Sequence, residues 1–198
     1  MLALLLAAAG QTAVDAERAF NRAAQTQGQW TAFRAFAAPD AVIFKPEPAK
    51  AEFPDKDPPI AVQWWPAESY VSCDGATAVN TGPWVRPDSF GYFTTIWRKQ
   101  PDGGWKFAYD DGDALAKPRP LPEKPKVIKA SCRGNPRKTV PIAPIFDAAA
   151  SADGQSDDGT LVWRWSTDRL GGRGMLVMIW NGRNWTEALR DEVGPAAK

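Results

Sequence analysis

There is no histidine anywhere in this chain. That absence removes Ser-His and Cys-His nucleophile pairs, imidazole metal ligands and a near-neutral imidazole switch. Acid–base chemistry would have to run on Asp, Glu, Tyr, Lys or Cys. Acidic residues group at Asp110-Asp111-Gly112-Asp113 and again across Asp153–Gly159. The second run departs from the D-x-[DN]-x-[DN]-G calcium loop, with Gln155 where a ligand belongs and Asp158 where the glycine belongs. Both read as acidic turns, and neither a metal nor another cofactor is expected. Asn184-Trp185-Thr186 matches a glycosylation sequon by pattern alone. Cys73 and Cys132 are the two cysteines. In an oxidising compartment a disulfide between them is expected, tying the C-terminal region to the first domain. The alternative is two separate thiols that behave as small hydrophobes.

Asp111 and Tyr109 close an aromatic hairpin, and that hairpin decides what they face. Phe90–Lys99 and Trp105–Asp110 read as strands joined at Pro101-Asp102-Gly103-Gly104. Pro101 pre-sets the turn and Gly103 supplies its left-handed residue, closing a three-residue loop between Gln100 and Gly104. Trp97 then lies opposite Phe107, Thr95 opposite Tyr109 and Phe93 opposite Asp111. Strand alternation puts Phe93, Thr95, Trp97, Trp105, Phe107, Tyr109 and Asp111 on one face. Ten tryptophans are an unusual load. Trp30, Trp65, Tyr70, Trp84, Trp97 and Tyr109 form a candidate lining for an apolar ligand site, with core or dimer-interface packing as the other reading.

The first ten residues of the 1–11 segment, MLALLLAAAG, are apolar and carry a small-residue A-x-A pattern at Ala7-Ala8-Ala9. They read as an export signal without a basic n-region, too short to span a bilayer as a helix. Periplasmic or secreted localisation is therefore expected, with a packed N-terminal turn in a cytoplasmic protein as the alternative. Thr12–Thr26 is predicted helical, with Ala13, Ala16, Phe20, Ala23 and Ala24 at helical spacing and Glu17 placed among the surface charges. A second helix, Gln29–Ala38, is stopped by Pro39, and Asp40–Phe44 is a short strand. Lys45–Pro59 is a long charged, Pro-rich loop expected to cover part of the domain. Strands follow at Ile60–Trp65, Ser69–Cys73 and Ala76–Thr81, the last two joined through Asp74-Gly75.

Charge is balanced, 24 Lys+Arg against 23 Asp+Glu, so no field points to nucleic acid. Residues 113–144 read as a Pro/Lys-rich linker; across 113–141 the basic side chains are Lys117, Arg119, Lys124, Lys126, Lys129, Arg133, Arg137 and Lys138. Without interleaved aromatics this is a solvated linker rather than a polyanion surface. Residues 145–198 return to strands at Thr160–Ser166, Met175–Trp180 and Trp185–Leu189. Thr95-Ile96-Trp97-Arg98 with Gly104-Trp105-Lys106 is echoed by Met178-Ile179-Trp180-Asn181 with Asn184-Trp185-Thr186. The echo reads as a weak internal repeat of the hairpin, packed on the first domain because a few strands alone are marginal.

Helices first and strands after predict an α+β domain over residues 12–112 with its helices on one face of an antiparallel sheet. The segments AERAFNRAAQTQGQWTAFRAFAAPDAVIFKP, VNTGPWVRP and FGYFTTIWRKQPDGGWKFAYD carry a resemblance. Over residues 13–112 the chain resembles the nuclear-transport-factor-2-like, or SnoaL-like, superfamily, and within it a bacterial ketosteroid-isomerase-like group. The resemblance implies a curved, cone-shaped (cystatin-like) sheet wrapped around its helices, a pocket at the wide end and dimers through the sheet. Ketosteroid isomerases use a carboxylate base near the first strand, a helical Tyr and a second carboxyl on a late strand. That pattern points to Asp40 as base and Asp111 as the late carboxyl, while the helix offers Phe20 where Tyr is needed. Epoxide-hydrolase relatives would pair Asp111 with Arg98, but the hairpin register puts these on opposite faces. The favoured reading is an exported small-ligand-binding or accessory module lacking a complete catalytic set. The rival is a carboxylate-based isomerase, cyclase or hydrolase acting through Asp40, Tyr70 and Asp111 on a hydrophobic small molecule. A small hydrophobic ligand and a homodimer through the sheet are the expected partners, with no nucleic acid and no stable membrane span.

Overall fold

The computed structural model describes residues 10–44, 47–134, 136, 142 and 148–194. Most of the signal-like segment, together with Arg137 and Lys138, lies outside the described residues. The fold is α+β. Helix α1 (Ala13–Gln27) starts from a reciprocal cap: Asp15 N–H donates to Thr12 Oγ1 at 3.1 Å, and Thr12 N–H donates to Asp15 Oδ2 at 3.1 Å. Ala13, Ala16, Phe20 and Ala24 are buried along its inner stripe. Glu17 lies in that stripe too and is fully buried, which corrects its placement among surface charges.

Helix α2 (Gln29–Phe36) follows a single residue later and has no cap of its own. The cap arrives from the charged loop instead. Asp57 Oδ1 accepts from Trp30 N–H at 2.5 Å and Thr31 N–H at 3.1 Å, while Oδ2 accepts from Thr31 Oγ1 at 2.7 Å. Gly28, at φ 107°, makes room: a Cβ there would stand 2.2 Å from Asp57 Oδ2. The loop expected to cover the domain thus terminates a helix. α2 ends at Phe36, two residues early, and runs straight into β1 (Ala37–Phe44). Pro39 sits inside that strand, and the register of β1 shifts between Ala37 and Val42, where a residue without an N–H can be tolerated.

The remaining strands of the first sheet are β2 (Pro48–Lys50), β3 (Gln63–Trp64), β4 (Glu68–Val71), β5 (Thr77–Val85), β6 (Phe90–Lys99), β7 (Trp105–Ala114) and β8 (Lys126–Lys129). Their order is β2-β1-β7-β6-β5-β4-β8, with β3 on β5; β1 and β7 are parallel. A second, antiparallel sheet has the order β12-β11-β10-β9, from β9 (Ala150–Gln155), β10 (Leu161–Thr167), β11 (Arg173–Trp180) and β12 (Trp185–Val193). The backbone divides into two compact units. The first holds described residues of 10–43, 49–69 and 79–126; the second holds those of 44–48, 70–78 and 127–194.

The central hairpin closes as its turn chemistry predicts. Gln100 N–H donates to Gly104 O at 2.8 Å, Gly103 N–H donates to Gln100 O at 2.9 Å, and Gly103 sits at φ 85°. Trp97 pairs with Phe107, but the register then slips. Ala108 is an extra residue, a β-bulge, so Ile96 meets Tyr109, Thr95 meets Asp110 and Thr94 meets Asp111. Because one residue of slip flips every side chain, Tyr109 and Asp111 leave the face of Trp97 and Phe107. Asp110 takes their place on it. The expected pairings of Thr95 with Tyr109 and Phe93 with Asp111 are therefore corrected.

The inner face is closed by aromatics. Phe20 lies against Phe33, Phe36, Trp64, Trp97 and Phe107, with ring centroids 4.7 Å from Phe33 and 5.6 Å from Phe107. Trp97 and Phe107 are fully buried. On the outer face Val79, Tyr92, Thr94, Ile96 and Tyr109 are buried within the single chain. Arg119, from the segment read as a solvated linker, puts its guanidinium 4.0 Å over the Tyr92 ring and donates to Thr81 Oγ1 at 3.1 Å.

Candidate functional site

The inner-face stripe of α1 brings one ionisable group into the aromatic core, and β3, β5 and β6 each send a donor to it. Glu17 Oε1 accepts from Trp64 Nε1 at 2.8 Å; Oε2 accepts from Trp97 Nε1 at 2.6 Å and Asn80 Nδ2 at 3.2 Å. Asn80 also donates to Ala13 O at 2.9 Å, which fixes the start of α1 against β5. The donors are neutral, so they offset only part of the cost of stripping water from a carboxylate. Burial pushes the Glu17 carboxyl up to about 7 against the pull of the hydrogen bonds from Trp97, Trp64 and Asn80.

The bulge supplies the second group. Asp110 Oδ2 accepts from Thr95 Oγ1 at 2.7 Å across the β6–β7 pair. The residue as a whole is half-buried. That burial is the main cause of a shift up to about 8, with the Thr95 hydrogen bond opposing it and the charges of Glu17 and Asp111 adding to it. Both carboxyls lie on the inner face and neither is bonded to a cation among the described residues, which favours the protonated forms towards neutrality. Chemically the arrangement can hold protons. Glu17, with no exposed surface and both oxygens engaged, has no room to meet a substrate.

The residues expected from the sequence lie elsewhere and are not brought together. Asp40 is exposed on β1, its side chain 68% accessible, and accepts from Arg98 Nη2 at 2.5 Å. That hydrogen bond and the guanidinium charge hold its carboxyl below the usual range. Arg98 thus pairs with Asp40, whereas Asp111 lies half-buried on the outer side of β7. Tyr70 is buried on β4 and belongs to the second unit, while Asp40 and Asp111 belong to the first.

The aromatic set disperses in the same way. Trp97 is core and Tyr109 is buried on the opposite face. Trp30 stands half-buried on α2, its ring 6.0 Å from Phe53. Trp65 is half-buried, its N–H donating to Pro83 O at 3.1 Å. Trp84 lies beneath the Arg86 guanidinium at 5.3 Å and fills the space that Gly91 leaves open. A separate recess of about 380 Å³ opens between the last turn of α1, Ala24 to Gly28, and Pro58 to Ala61; none of the expected aromatics lines it. Among the described residues no cluster of carboxylates or thiols is arranged to hold a metal ion, and no helix is long and apolar enough to cross a membrane. The expected disulfide between Cys73 and Cys132 is formed, with both cysteines in the second unit and their Cα atoms 5.2 Å apart.

Glu17 and Asp110 escaped the sequence reading for different reasons. Glu17 stands four residues after Ala13 and three before Phe20, so helical spacing alone places it in the apolar stripe. Asp110 required knowledge of the bulge. The signal for that is the repeated spacing Trp105…Ala108 and Trp185…Ala188, because Ala188 is the extra residue of the second sheet.

No protein-family model and no curated protein matches the chain. Solved structures are similar to part of it, among them the following two. One is a nuclear transport factor 2-like superfamily protein from Salmonella enterica subsp. enterica serovar Typhimurium str. LT2, 14% identical, with a TM-score of 0.37, covering 52% of this chain and 89% of that one. The other comes from Novosphingobium aromaticivorans DSM and bears a name that suggests an aromatic ring hydroxylase; it is 15% identical, with a TM-score of 0.38, covering 53% and 87%. The resemblance read from the sequence is to the superfamily of the first. At these values neither likeness carries a residue role or an activity.

Proposed function

We propose that the protein is a small-ligand-binding or accessory module rather than an enzyme, with a cone-shaped sheet whose inner face is closed by its own helices. One observation carries this reading: Glu17, the ionisable group at the centre of the inner face, is sealed among Trp64, Trp97 and Asn80 with both oxygens engaged. A carboxylate that must shuttle a proton to a substrate needs an approach path, and here Phe20, Trp97 and Phe107 fill it. Ligand binding would then fall outside the aromatic core, and the recess beside Ile60 is a candidate place for it. Export to the periplasm or medium belongs to the same proposal and draws support from the Cys73–Cys132 disulfide. A homodimer through the outer face draws none, since Ile96 and Tyr109 are already buried in the single chain.

The rival enzyme reading keeps one specific support. Asp110 is a half-buried residue with a carboxyl raised to about 8, so it can donate a hydrogen bond at neutral pH. The two readings separate in one experiment. Native mass spectrometry of as-purified protein, followed by thermal-shift screening of small apolar compounds, should find ligands whose binding survives Asp110→Asn and weakens with Ile60→Asp. Turnover of any isomerase, cyclase or hydrolase test substrate that Asp110→Asn abolishes would reverse the assignment.

A further inference from the structure

Glu17 and Asp110 are the two ionisable groups on the inner face that the proposed function leaves unused. Their surroundings are unusual in one respect. From α1 itself the charged side chains Asp15 and Arg18 point to solvent, and Arg22 is exposed. β3 offers Trp64, β5 offers Asn80 and β6 offers Trp97 and Thr95, all neutral. β7 offers Asp110, and behind it Asp111 on the other face; the nearby cation Arg98 is engaged with Asp40 at the exposed side of β1. Among the described residues, then, no cation faces either carboxyl, and each feels added negative charge or bare burial. Glu17 is also the residue through which α1 is bonded to three strands at once.

We propose that Glu17 and Asp110 form a proton-operated latch on α1: with both carboxyls protonated the helix stays seated in the sheet, and ionisation of the pair loosens it and uncovers the aromatic inner face. The sign follows from proton counting. Folding takes both carboxyls into surroundings that retain their protons, whereas the unfolded chain releases them in the ordinary carboxylate range. The native state therefore binds more protons across the interval between, and stability falls as pH rises through it. Burial raises both groups, Glu17 to about 7 and Asp110 to about 8, so the fall extends from mildly acidic to mildly alkaline conditions. The device opens α1 in particular because Glu17 is on it: a charged Glu17 among three neutral donors is most easily rehydrated by lifting the helix that carries it.

Amide hydrogen exchange of the full chain tests this. After correction for intrinsic chemical rates, protection of α1 should drop at least about tenfold between about pH 5.5 and about pH 8.5, while β10 and β11 change far less. Glu17→Gln should abolish most of that drop. Asp110→Asn, which leaves the α1 hydrogen bonds intact, removes the carboxyl that ionises last, against the charge of Glu17, so the drop should end at lower pH; it keeps the test available if Glu17→Gln does not fold. The latch is overturned if the α1 protection profile of Asp110→Asn superimposes on that of the unmodified protein, or if all elements lose protection together.

Discussion

The two hairpin pairs of this chain, β4–β7 and β9–β12, are built alike locally and finished differently. Each begins with the same turn. Ser72 Oγ donates to Asp74 Oδ1 at 2.5 Å and Ser156 Oγ donates to Asp158 Oδ1 at 2.6 Å. Thr77 N–H donates to Ser72 Oγ at 3.0 Å, as Leu161 N–H does to Ser156 Oγ at 3.1 Å, and Gly75 and Gly159 sit at φ 74° and 68°. Each ends with a Trp-containing hairpin interrupted by a bulged alanine, Ala108 or Ala188. The weak echo of one hairpin in the sequence is thus part of a four-strand correspondence. The difference is what covers the matching face. On the first copy Phe20 and Glu17 of α1 complete it. On the second, Ile142 packs with Val162 and Leu176, leaving Met178 and Trp185 half-buried. A meander can be copied with its turns and bulges, but its stability depends on what is laid across it.

That contrast is testable by its energetics. Phe20→Ala should destabilise by about 3–5 kcal/mol, the usual cost of emptying a large aromatic site, and Trp185→Ala by less than about half as much; urea unfolding of both variants measures it. Equal losses would mean that the second face is as fully covered as the first. Removing the disulfide with Cys73→Ser and Cys132→Ser should cost about 2–4 kcal/mol, and the loss should be read in the second unit, where both cysteines lie. A uniform loss of exchange protection across both units would contradict this. The paired turns should differ more finely. Asp158 also accepts from Asp74 N–H at 2.7 Å and from Thr160 N–H at 3.0 Å, so Asp158→Ala should cost about 1–3 kcal/mol and Asp74→Ala about 1 kcal/mol or less. Thermal denaturation of the two variants ranks them, and a reversed order would deny the asymmetry. Smallest of all, Asp40→Ala breaks an exposed ion pair and should change stability by no more than about 1 kcal/mol; a larger drop in the urea midpoint would show that Asp40 does more than screen Arg98.

What the sequence revealed follows from which interactions are local. The Gly103 turn and the pairing of Trp97 with Phe107 depend on neighbours a few residues apart, and both are readable from residue types. The faces of Tyr109, Asp110 and Asp111 depend on one inserted residue, and alternation counted from the turn gives the wrong parity beyond it. Asp57 capping α2 across 26 residues has no local signature. β9 was missed because ASADGQ has little strand propensity and is held by its pairing with β10. The candidate site fared worst. The resemblance points to Asp40 at the first strand and Asp111 on the late one, yet the buried carboxyls are the ones whose periodicity or bulge turns them inward.

The Asp57 cap also makes a helix vulnerable at a distance. α2 has eight residues, too few to persist without tertiary support, and its first N–H groups are held by a carboxylate on an irregular, lysine-bearing loop. A single trypsin cut after Lys56 would separate Asp57 from the chain that precedes it, freeing the loop to carry the cap away. Limited digestion should therefore attack near Lys56 first and then release the Arg34 end of α2, so that the protein's earliest degradation intermediates report on one hydrogen-bonded aspartate rather than on the sheet.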